Sequence, residues 1–271
     1  MTPDYAHELT VALEAAALAS DYLRREYAAF TALASAPSDI STHADKGAQE
    51  IILRHLQAVF PADGLLAEEA TDALRDHAAG ASGRVWVVDP IDGTRGFATK
   101  NDQFSVMIGL AVADRAVLGV VAEPVPNSTT YGVVGGRCWV RHGHGEAVEC
   151  RVSLTDSLAA ACLARSFGKP GDQTRGERRL QPRTTMPTHS SGIKMALVAR
   201  GEADVYVNDH SAFCDWDVCA GQALVEAAGG RVTSFDGTPV GYGPGGPRRT
   251  TGLIASNGRI HDAAVAALAG G

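Results

Sequence analysis

The sequence predicts an α/β protein in two halves, an N-terminal α+β half and a C-terminal α/β half. Two amphipathic helices come first, at about residues 3–30 and 42–61. Short β-rich runs separated by turn residues follow over residues 64–140, and strand-like and helix-like runs alternate in the remainder of the chain. We therefore predict two subdomains, 1–150 and 151–271, the first built around a sheet that packs on the two helices.

The two N-terminal helices are predicted from apolar side chains that recur every three or four residues. The second begins near Thr42 and ends at Pro61, because proline cannot continue a helix. The predicted buried faces consist of Leu9, Leu13, Ala16, Ser20, Leu23 and Tyr27 on the first helix and Ala48, Ile52, Leu56 and Val59 on the second.

The remaining elements are short, and turn residues bound them. In the first half we predict strands at Leu65–Ala67, Val85–Val88, Phe104–Val112, Val117–Ala122, Tyr131–Val134 and Cys138–Val140. In the second half we predict strands at Ala159–Ala164, Val205–Val207, Val232–Phe235 and Gly252–Ala255, and helices at Ile193–Arg200, Val218–Ala228 and Ile260–Leu268. The segment Gly168–Pro187 has no clear period and is predicted to be a loop or an irregular helix.

Composition excludes several classes of function. The net charge of −7 and the pI near 5.7 make a nucleic acid an unfavourable partner, because its backbone needs a concentrated basic surface. The five cysteines are scattered and form no CxxC pair, which favours reduced, buried thiols over a zinc site. No apolar run approaches the length of a membrane span, and the N-terminus lacks the pattern of a signal peptide. We expect a cytoplasmic protein that binds no membrane.

Two carboxylates follow a fully apolar predicted strand at its carboxyl end. Asp89 ends the strand, Pro90 cannot donate to a ladder and should stop the pairing, and Asp92 lies three residues further on. Gly93 and Thr94 then begin a short helical turn whose free N–H groups face the same space. Two carboxylates this close repel each other unless a cation lies between them, and hard oxygen ligands suit Mg²⁺ better than zinc.

An ordinary β-turn is the alternative interpretation of this Pro-Ile-Asp-Gly run. Other acidic residues favour a site. Glu68 and Glu69 close the preceding strand, and the ends of neighbouring strands commonly gather at one edge of a sheet. Asp217 lies far downstream at the start of a predicted helix, where it is either a ligand or an N-cap.

Three motifs together resemble the signatures of the inositol monophosphatase superfamily: Glu68-Glu69, Asp89-Pro90-Ile91-Asp92-Gly93-Thr94, and Trp216-Asp217 with Ala220-Gly221. The resemblance extends over nearly the whole chain, including Leu197–Asp204 and Ala255–His261. It implies a layered αβαβα sandwich of the sugar-phosphatase type and a Mg²⁺-dependent phosphatase that takes two or three ions. It further implies inhibition by lithium, a small phosphorylated substrate and, as in many relatives, a possible homodimer.

Carried over position by position, the resemblance also implies a set of metal ligands. Glu68, Asp89 and the backbone carbonyl of Ile91 would hold the metal ion that activates water. Asp89, Asp92 and Asp217 would hold a second ion that stabilises the leaving oxygen, which is the two-metal scheme for in-line displacement.

The same resemblance implies the catalytic and phosphate-binding groups. Gly93 and Thr94 would supply N–H donors to the phosphate. The Thr94 hydroxyl would orient the water with help from Asp45, and Glu68 completes the catalytic set. Asp45 has an alternative interpretation as the capping-box partner of Thr42, since the spacing Thr42-x-x-Asp45 fits that motif.

The substrate is predicted from the second half of the chain. The run Ser190-Ser191-Gly192-Ile193-Lys194 and the pair Arg165-Ser166 resemble the bacterial 3′(2′),5′-bisphosphate nucleotidases. Lys194 and Arg165 are the cations expected near a second phosphate, with Ser191 and Asp217 also contacting the substrate. A solvated helix lysine is the alternative for Lys194.

The leading prediction is therefore hydrolysis of 3′-phosphoadenosine 5′-phosphate to AMP and phosphate. Asp215 stands where those nucleotidases usually carry a Glu. Asn208, Asp209 and His210 occupy the region in which inositol monophosphatases have a Glu that binds inositol hydroxyls, so inositol specificity is not favoured. Inositol phosphate, histidinol phosphate and fructose 1,6-bisphosphate phosphatases are the alternatives, and a non-catalytic metal- and phosphate-binding relative is the alternative of a different class.

Overall fold

Two helices, a group of mostly consecutive strands and then a mixture of helices and strands follow one another in a computed structural model, which describes residues 4–37, 40–77, 82–168, 171–209, 213–242, 248–249 and 252–269. The helices of these residues are α1 (Ala6–Ala29), α2 (His43–Val59), α3 (Asp72–Arg75), α4 (Thr94–Ala98), α5 (Arg175–Leu180), α6 (Ser191–Ala199), α7 (Cys219–Ala227) and α8 (His261–Ala269). The strands are β1 (Gly64–Ala67), β2 (Arg84–Asp92), β3 (Ser105–Val112), β4 (Arg115–Glu123), β5 (Ser128–Val133), β6 (Cys138–His142), β7 (Val148–Cys150), β8 (Cys162–Arg165), β9 (Thr184–Pro187), β10 (Val205–Asn208), β11 (Phe213–Cys214), β12 (Arg231–Ser234), β13 (Arg248–Arg249) and β14 (Leu253–Ser256).

Two large sheets and three layers of helices are stacked on one another. The first sheet runs in the order β1 to β7, with β1 parallel to β2 and the other neighbours antiparallel. Helices α1 and α2 pack on one face, and α6 and α7 pack between this sheet and the second, β12-β14-β10-β8-β9. Helices α5 and α8 cover the far face of the second sheet. The predicted layered αβαβα fold is confirmed.

Alternation along the strands explains how the second sheet holds a helix layer on each face. Leu163 and Val205 face the α5 and α8 side, whereas Ala164 and Tyr206, one residue further along, belong to the core around α6 and α7. Successive side chains of a strand point to opposite faces, so a strand buried on both sides needs an almost continuous apolar run. The predicted division into subdomains at residue 150 remains a proposal.

Most predicted elements are present, and the differences have local causes. Val59, predicted to lie on the buried face of α2, is 39% exposed because the helix ends there. The predicted strand Ala159–Ala164 begins only at Cys162, after a 3₁₀ turn. The segment predicted as a loop or an irregular helix contains helix α5 and the polar edge strand β9, while residues 169–170 lie outside the described residues. Among the described residues, no helix combines the length and the apolarity that crossing a membrane requires.

The prediction that pairing stops at Pro90 was wrong. Strand β2 pairs with β3 up to Asp89, opposite Met107, and pairs again at Asp92, opposite Ser105. Three residues on β2 therefore span the distance of two on β3, which is a β-bulge. Pro90, which has no N–H to donate, lies in the bulge, so the ladder needs no bond from it and both aspartates stay in the strand.

Candidate active site

A cavity of about 770 Å³ lies at the ends of strands β1 and β2, where α4, α6 and the turn before α7 converge. It is open to solvent, and its walls come from both halves of the chain. The lining residues are Ile40, Ser41, Glu68, Glu69, Asp89, Ile91, Asp92, Gly93, Thr94, Arg95, Ser166, Phe167, His189, Ser191, Lys194, Tyr206, Asn208, Phe213 and Asp217. The structure thus brings all five predicted metal-binding residues to one space.

Parallel pairing of the first two strands places Glu68 beside Asp89. Ala67, the last residue of β1, is in register with Val88 of β2, so the next residue of each chain emerges at the same edge. Asp89 is buried, whereas Glu68 keeps an exposed surface at the cavity mouth. Glu69 also lines the cavity, and it accepts a hydrogen bond from the Ser41 hydroxyl at 2.5 Å.

Asp92 is held by the start of helix α6. Its Oδ2 accepts a hydrogen bond of 2.6 Å from the backbone N–H of Gly192 and another from the hydroxyl of Ser190. Ser190 is also the N-cap of α6 and accepts from the N–H of Ile193 at 2.9 Å. The positive end of α6 therefore faces this carboxylate, which orients it and favours its charged form.

Asp217 is not the helix cap that the sequence left open. Helix α7 begins at Cys219 with Val218 at the N-cap position and no side-chain capping bond. The Oδ2 of Asp217 instead accepts the backbone N–H of Cys214 at 2.6 Å, which closes the turn and turns the carboxylate toward the cavity. Within the described residues, oxygens of Asp89, Asp92 and Asp217 come within 4.8 Å of one another.

Burial raises the pKa of each of these acids and is the largest cause for all four. For Glu68, Asp89 and Asp217, the negative charges of neighbouring carboxylates add to the effect of burial. The pKa of Glu68 rises to about 8 and that of Asp217 to about 7, while the pKa of Asp89 rises well above its usual value. For Asp92 the bonds from Ser190 and Gly192 offset part of the rise.

This arrangement fits divalent magnesium. The acids share a cavity with too little positive charge to balance them, and every donor atom is a hard oxygen. A cation among them would remove the repulsion that raises their pKa values. The cluster of Asp89, Asp92 and Asp217 is therefore a candidate site for Mg²⁺.

Thr94 and Asp45 form a connected pair beside the acids. The Thr94 hydroxyl lies 3.1 Å from Oδ1 of Asp45 and 2.9 Å from the carbonyl oxygen of Ile91. The other oxygen of Asp45 accepts the backbone N–H of Thr42 at 2.8 Å and its hydroxyl at 2.6 Å. Asp45 therefore has one oxygen in the capping box of α2 and the other in contact with the Thr94 hydroxyl, so the capping interpretation is confirmed and the catalytic role stays a prediction.

Gly93 is required at the turn between strand β2 and helix α4. Its φ of 88° lies in the left-handed region, which side chains other than glycine rarely adopt. A Cβ at this position would also stand 3.0 Å from the carbonyl oxygen of Gln103 and 3.3 Å from the Cα of Ser190. Both conditions leave the backbone of Gly93 facing the cavity.

Lys194 lies inside the cavity wall, and the alternative of a solvated lysine was wrong. The residue is 1% exposed, and its Nζ lies 3.5 Å from the carbonyl oxygen of His189 and 5.1 Å above the ring of Tyr206. Burial lowers the pKa of Lys194 to about 8, although the charges of Asp92 and Asp217 oppose that effect. Ser191 lies nearby, with its hydroxyl 3.2 Å from that of Tyr206.

Arg165 does not line the cavity, unlike the other predicted substrate residues. Its guanidinium lies 3.2 Å from the carboxylate of Glu177 and donates to the carbonyl of Ser166 at 3.2 Å. Sequence reasoning missed Arg95 and Phe167, which do line it. The position of Arg95 directly after the Asp-Gly-Thr turn was the available signal. Of the Asn-Asp-His run, Asn208 lines the cavity and His210 lies outside the described residues.

Comparison with known proteins agrees with the fold and the site. Residues 4–270 match the model of the inositol monophosphatase family. A fructose-1,6-bisphosphatase/inositol-1-monophosphatase of Thermotoga maritima is 32% identical over 230 residues, 84% of this chain and 81% of that protein. The 3′(2′),5′-bisphosphate nucleotidase CysQ of Escherichia coli is 32% identical over 212 residues, 75% of this chain and 79% of that protein.

The backbone fold of the chain also agrees with that of a solved structure. The inositol monophosphatase of Anabaena (Nostoc) sp. PCC 7120 superimposes with a TM-score of 0.77 and 27% identity, covering 98% of this chain and 97% of that one. The match over nearly the full length of both chains includes the segments that build the acidic cavity. The chain thus belongs to the inositol monophosphatase family of metal-dependent phosphatases, which hydrolyse small phosphoric monoesters.

Proposed function

We propose that this protein is a Mg²⁺-dependent 3′(2′),5′-bisphosphate nucleotidase that converts 3′-phosphoadenosine 5′-phosphate to AMP and phosphate. The observation that carries the proposal is the buried lysine, Lys194, in the wall of a cavity whose other walls are acidic. A doubly phosphorylated substrate brings more negative charge than a monophosphate and needs such a cation in addition to the metal ions. The similarity to CysQ over three quarters of the chain supports the same substrate class.

The residues proposed to hold Mg²⁺ are the five that converge on the cavity. Glu68, Asp89 and the carbonyl of Ile91 would take one ion, and Asp89, Asp92 and Asp217 a second, with space for a third. Bound Mg²⁺ would supply positive charge that neutralises the phosphate and makes a nearby water a stronger acid. Burial and then neighbouring negative charge raise the pKa values of Glu68 and Asp217, and a bound cation would offset the repulsion among these carboxylates.

The protein groups proposed to handle water are Thr94, Asp45 and Glu68. In hydrolysis the water oxygen forms a bond to phosphorus while the bond from phosphorus to the ester oxygen breaks. When the Thr94 hydroxyl donates to Oδ1 of Asp45, its lone pair is free to accept a hydrogen bond from the water. Glu68, at the cavity mouth, is the carboxylate proposed to take the proton of the water. The ester oxygen leaves as a hydroxyl after taking a proton from solvent.

The phosphate is proposed to lie against the start of α4. The backbones of Gly93 and Thr94 line the cavity there, and the left-handed conformation of Gly93 brings its peptide close to the open space. Ser191 and Lys194 would contact the remainder of the substrate. Arg165 is no longer part of this proposal, since its guanidinium is paired with Glu177 outside the cavity lining.

Fructose 1,6-bisphosphate is the second candidate substrate. The Thermotoga maritima relative is named for it and for inositol 1-phosphate, and its similarity covers more of the chain than that of CysQ does. Fructose 1,6-bisphosphate also carries two phosphates, so Lys194 alone does not separate the two candidates. Inositol phosphate is less favoured, because Asn208 in the cavity wall carries no negative charge, unlike the Glu with which inositol monophosphatases bind inositol hydroxyls.

A substrate panel tests the proposal. Phosphate release is measured with Mg²⁺ and with a chelator for 3′-phosphoadenosine 5′-phosphate, fructose 1,6-bisphosphate, inositol 1-phosphate and histidinol phosphate. We expect the highest kcat/KM for the nucleotide, no release with the chelator, and inhibition by lithium at roughly millimolar concentration. A Lys194→Met variant should raise the KM for the nucleotide about tenfold or more, with the exposed Lys46→Met as its control. A higher kcat/KM for inositol phosphate or for the sugar bisphosphate would overturn the assignment.

A further inference from the structure

An aromatic surface lines the part of the cavity that the chemistry above does not use. Phe167 is 45% exposed although it is large and apolar. Its ring lies 4.6 Å from that of His189, centroid to centroid, with the planes tilted by 35°. Both residues line the same cavity as the acids. Covering an exposed phenyl ring in a cavity with an apolar or aromatic group is favourable, because it removes apolar surface from water.

A cation stands beside that surface. Arg95 follows Thr94 directly and lines the cavity, and its Nε is buried without a hydrogen-bond partner. Its charge lies close enough to His189 to lower the pKa of that imidazole, after the larger effect of burial. A buried guanidinium N–H without an acceptor is costly, so an anionic group from outside the protein would be stabilised there.

Two other cations lie in this region. Arg165 is paired with Glu177 and lies outside the lining. Lys194 lies beside His189, with its Nζ 3.5 Å from the carbonyl oxygen of that residue, and the charges of Asp92 and Asp217 act on it. Within the described cavity wall, Arg95 is the cation near His189 whose buried Nε has no hydrogen-bond partner.

We propose that Phe167, His189 and Arg95 form the subsite for the group that carries the phosphate. A flat aromatic base packs against Phe167 and His189, and a second phosphate on the same molecule pairs with the guanidinium of Arg95 in addition to Lys194. The substrate class selected by this subsite is a nucleoside bisphosphate. This inference rests on the proposed function and assigns its specificity to residues outside the metal cluster.

The chemistry of the alternatives matches this subsite less well. A cyclic polyol or a sugar offers no flat π face, and its hydroxyls need hydrogen-bond partners that a phenyl ring lacks. Histidinol phosphate has an aromatic ring but carries an ammonium group where a second phosphate would be, and Arg95 repels it. The subsite thus uses both attraction and repulsion to choose its ligand.

Dissecting the substrate separates the two parts of the subsite. Kinetics are measured for 3′-phosphoadenosine 5′-phosphate, for 3′-AMP, which lacks the second phosphate, and for β-glycerophosphate, which lacks the base as well. We expect Phe167→Ala to raise the KM about 5- to 150-fold for both nucleotides, the range that base stacking gives, and to leave β-glycerophosphate within twofold. We expect Arg95→Met to raise the KM about tenfold or more for the bisphosphate only. Phe167→Tyr and the exposed Arg25→Met are the matched controls.

Equal losses on all three substrates would overturn the subsite, because they would indicate a general disturbance of the cavity. An unchanged KM for the nucleotides in Phe167→Ala would overturn it as well. Titration calorimetry of AMP with the wild-type protein in MgCl₂ keeps the two proposals distinguishable. If the wild type binds AMP and Phe167→Ala binds it at least tenfold more weakly, the subsite is supported even when the substrate panel contradicts the proposed function.

Discussion

Asp204 and the acids of the cavity have opposite surroundings. In the second half, Asp204 accepts hydrogen bonds from the hydroxyl of Ser153 and, at 2.6 Å, from the N–H of Cys162. In the cavity, Asp89 and Asp217 each accept one backbone N–H, but they also face each other and Asp92. Burial is therefore not what marks a functional acid. The difference lies in whether neighbouring donors or neighbouring negative charges surround it.

The largest effect should follow from changing a cavity acid. Asp92→Asn keeps the size of the side chain and an oxygen for the N–H of Gly192 but removes the charge that would hold a cation. We expect Mg²⁺-dependent phosphate release to fall by roughly 10³-fold or more, with an unchanged circular dichroism spectrum. Asp262→Asn, on the surface, is the control. Turnover within tenfold of the wild type in Asp92→Asn would contradict the metal assignment.

Removing one hydroxyl beside the acids should have the next largest effect. Thr94→Val keeps the shape of the side chain and removes the group that lies 3.1 Å from Asp45 and 2.9 Å from the carbonyl of Ile91. We expect kcat to fall by about 10²-fold with a small change in KM, because the hydroxyl is proposed to act on the attacking water. Thr94→Ser should recover most of the rate. If Ser and Val are equally slow, the hydroxyl is not the group that matters.

Replacing Asp204, whose oxygens accept hydrogen bonds, should lower stability and leave activity nearly unchanged. Asp204→Ala leaves the N–H of Cys162 and the hydroxyl of Ser153 without their acceptor. The Ser153 hydroxyl in turn accepts a hydrogen bond of 2.9 Å from the side-chain amide of Asn257, so the loss extends to that residue. We expect the free energy of unfolding to fall by about 3 kcal/mol, measured by urea denaturation, with kcat/KM of the folded protein within twofold. A normal urea midpoint combined with lost activity would reverse the comparison between the two regions.

Local sequence patterns were enough to predict most of the fold. Helices α1 and α2 bury one face each, so their apolar residues recur every three or four positions. Strand β2 is buried on both faces, so its residues form a nearly continuous apolar run. Strand β9 was missed because it is a polar edge strand that ends on Pro187, so little apolar surface marks it. The bulge at Pro90 was missed because a proline shows only that one N–H is lacking, and whether pairing resumes depends on the partner strand β3.

The acids of the site could be predicted from the sequence, but their surroundings could not. Asp89 and Asp92 lie at the carboxyl end of the apolar strand β2, and that position together with Glu68 and Asp217 indicated a site at the edge of the sheet. Whether Asp217 caps a helix depends on the turn from Cys214, and whether Arg165 is available depends on Glu177, twelve residues away. Both questions concern contacts that appear only when the chain is folded. Phe167 gave no signal, because a single phenylalanine in a sequence usually belongs to the core.

The smallest effect concerns a second buried polar group of the C-terminal half, His261. It is fully buried, with its ring nitrogens 2.8 Å from the hydroxyls of Thr233 and Ser256. Burial, and then the charge of Arg231, lowers the pKa of His261 from 6.5 to about 4. The unfolded chain therefore takes up a proton below about pH 6.5 that the folded protein refuses until about pH 4, so acid lowers the free energy of unfolding in this window.

Replacing His261 by Gln should remove that part of the pH dependence. Between about pH 6.5 and about pH 5, the wild type should lose about 2 kcal/mol more stability than His261→Gln, measured by urea denaturation in a chelator. The cavity acids have raised pKa values and contribute with the opposite sign, but they are the same in both proteins and cancel in the difference. The exposed His144→Gln should keep the wild-type slope. If His261→Gln also keeps it, this buried histidine is protonated in the folded protein, and the hydroxyls around it stabilise a charge after all.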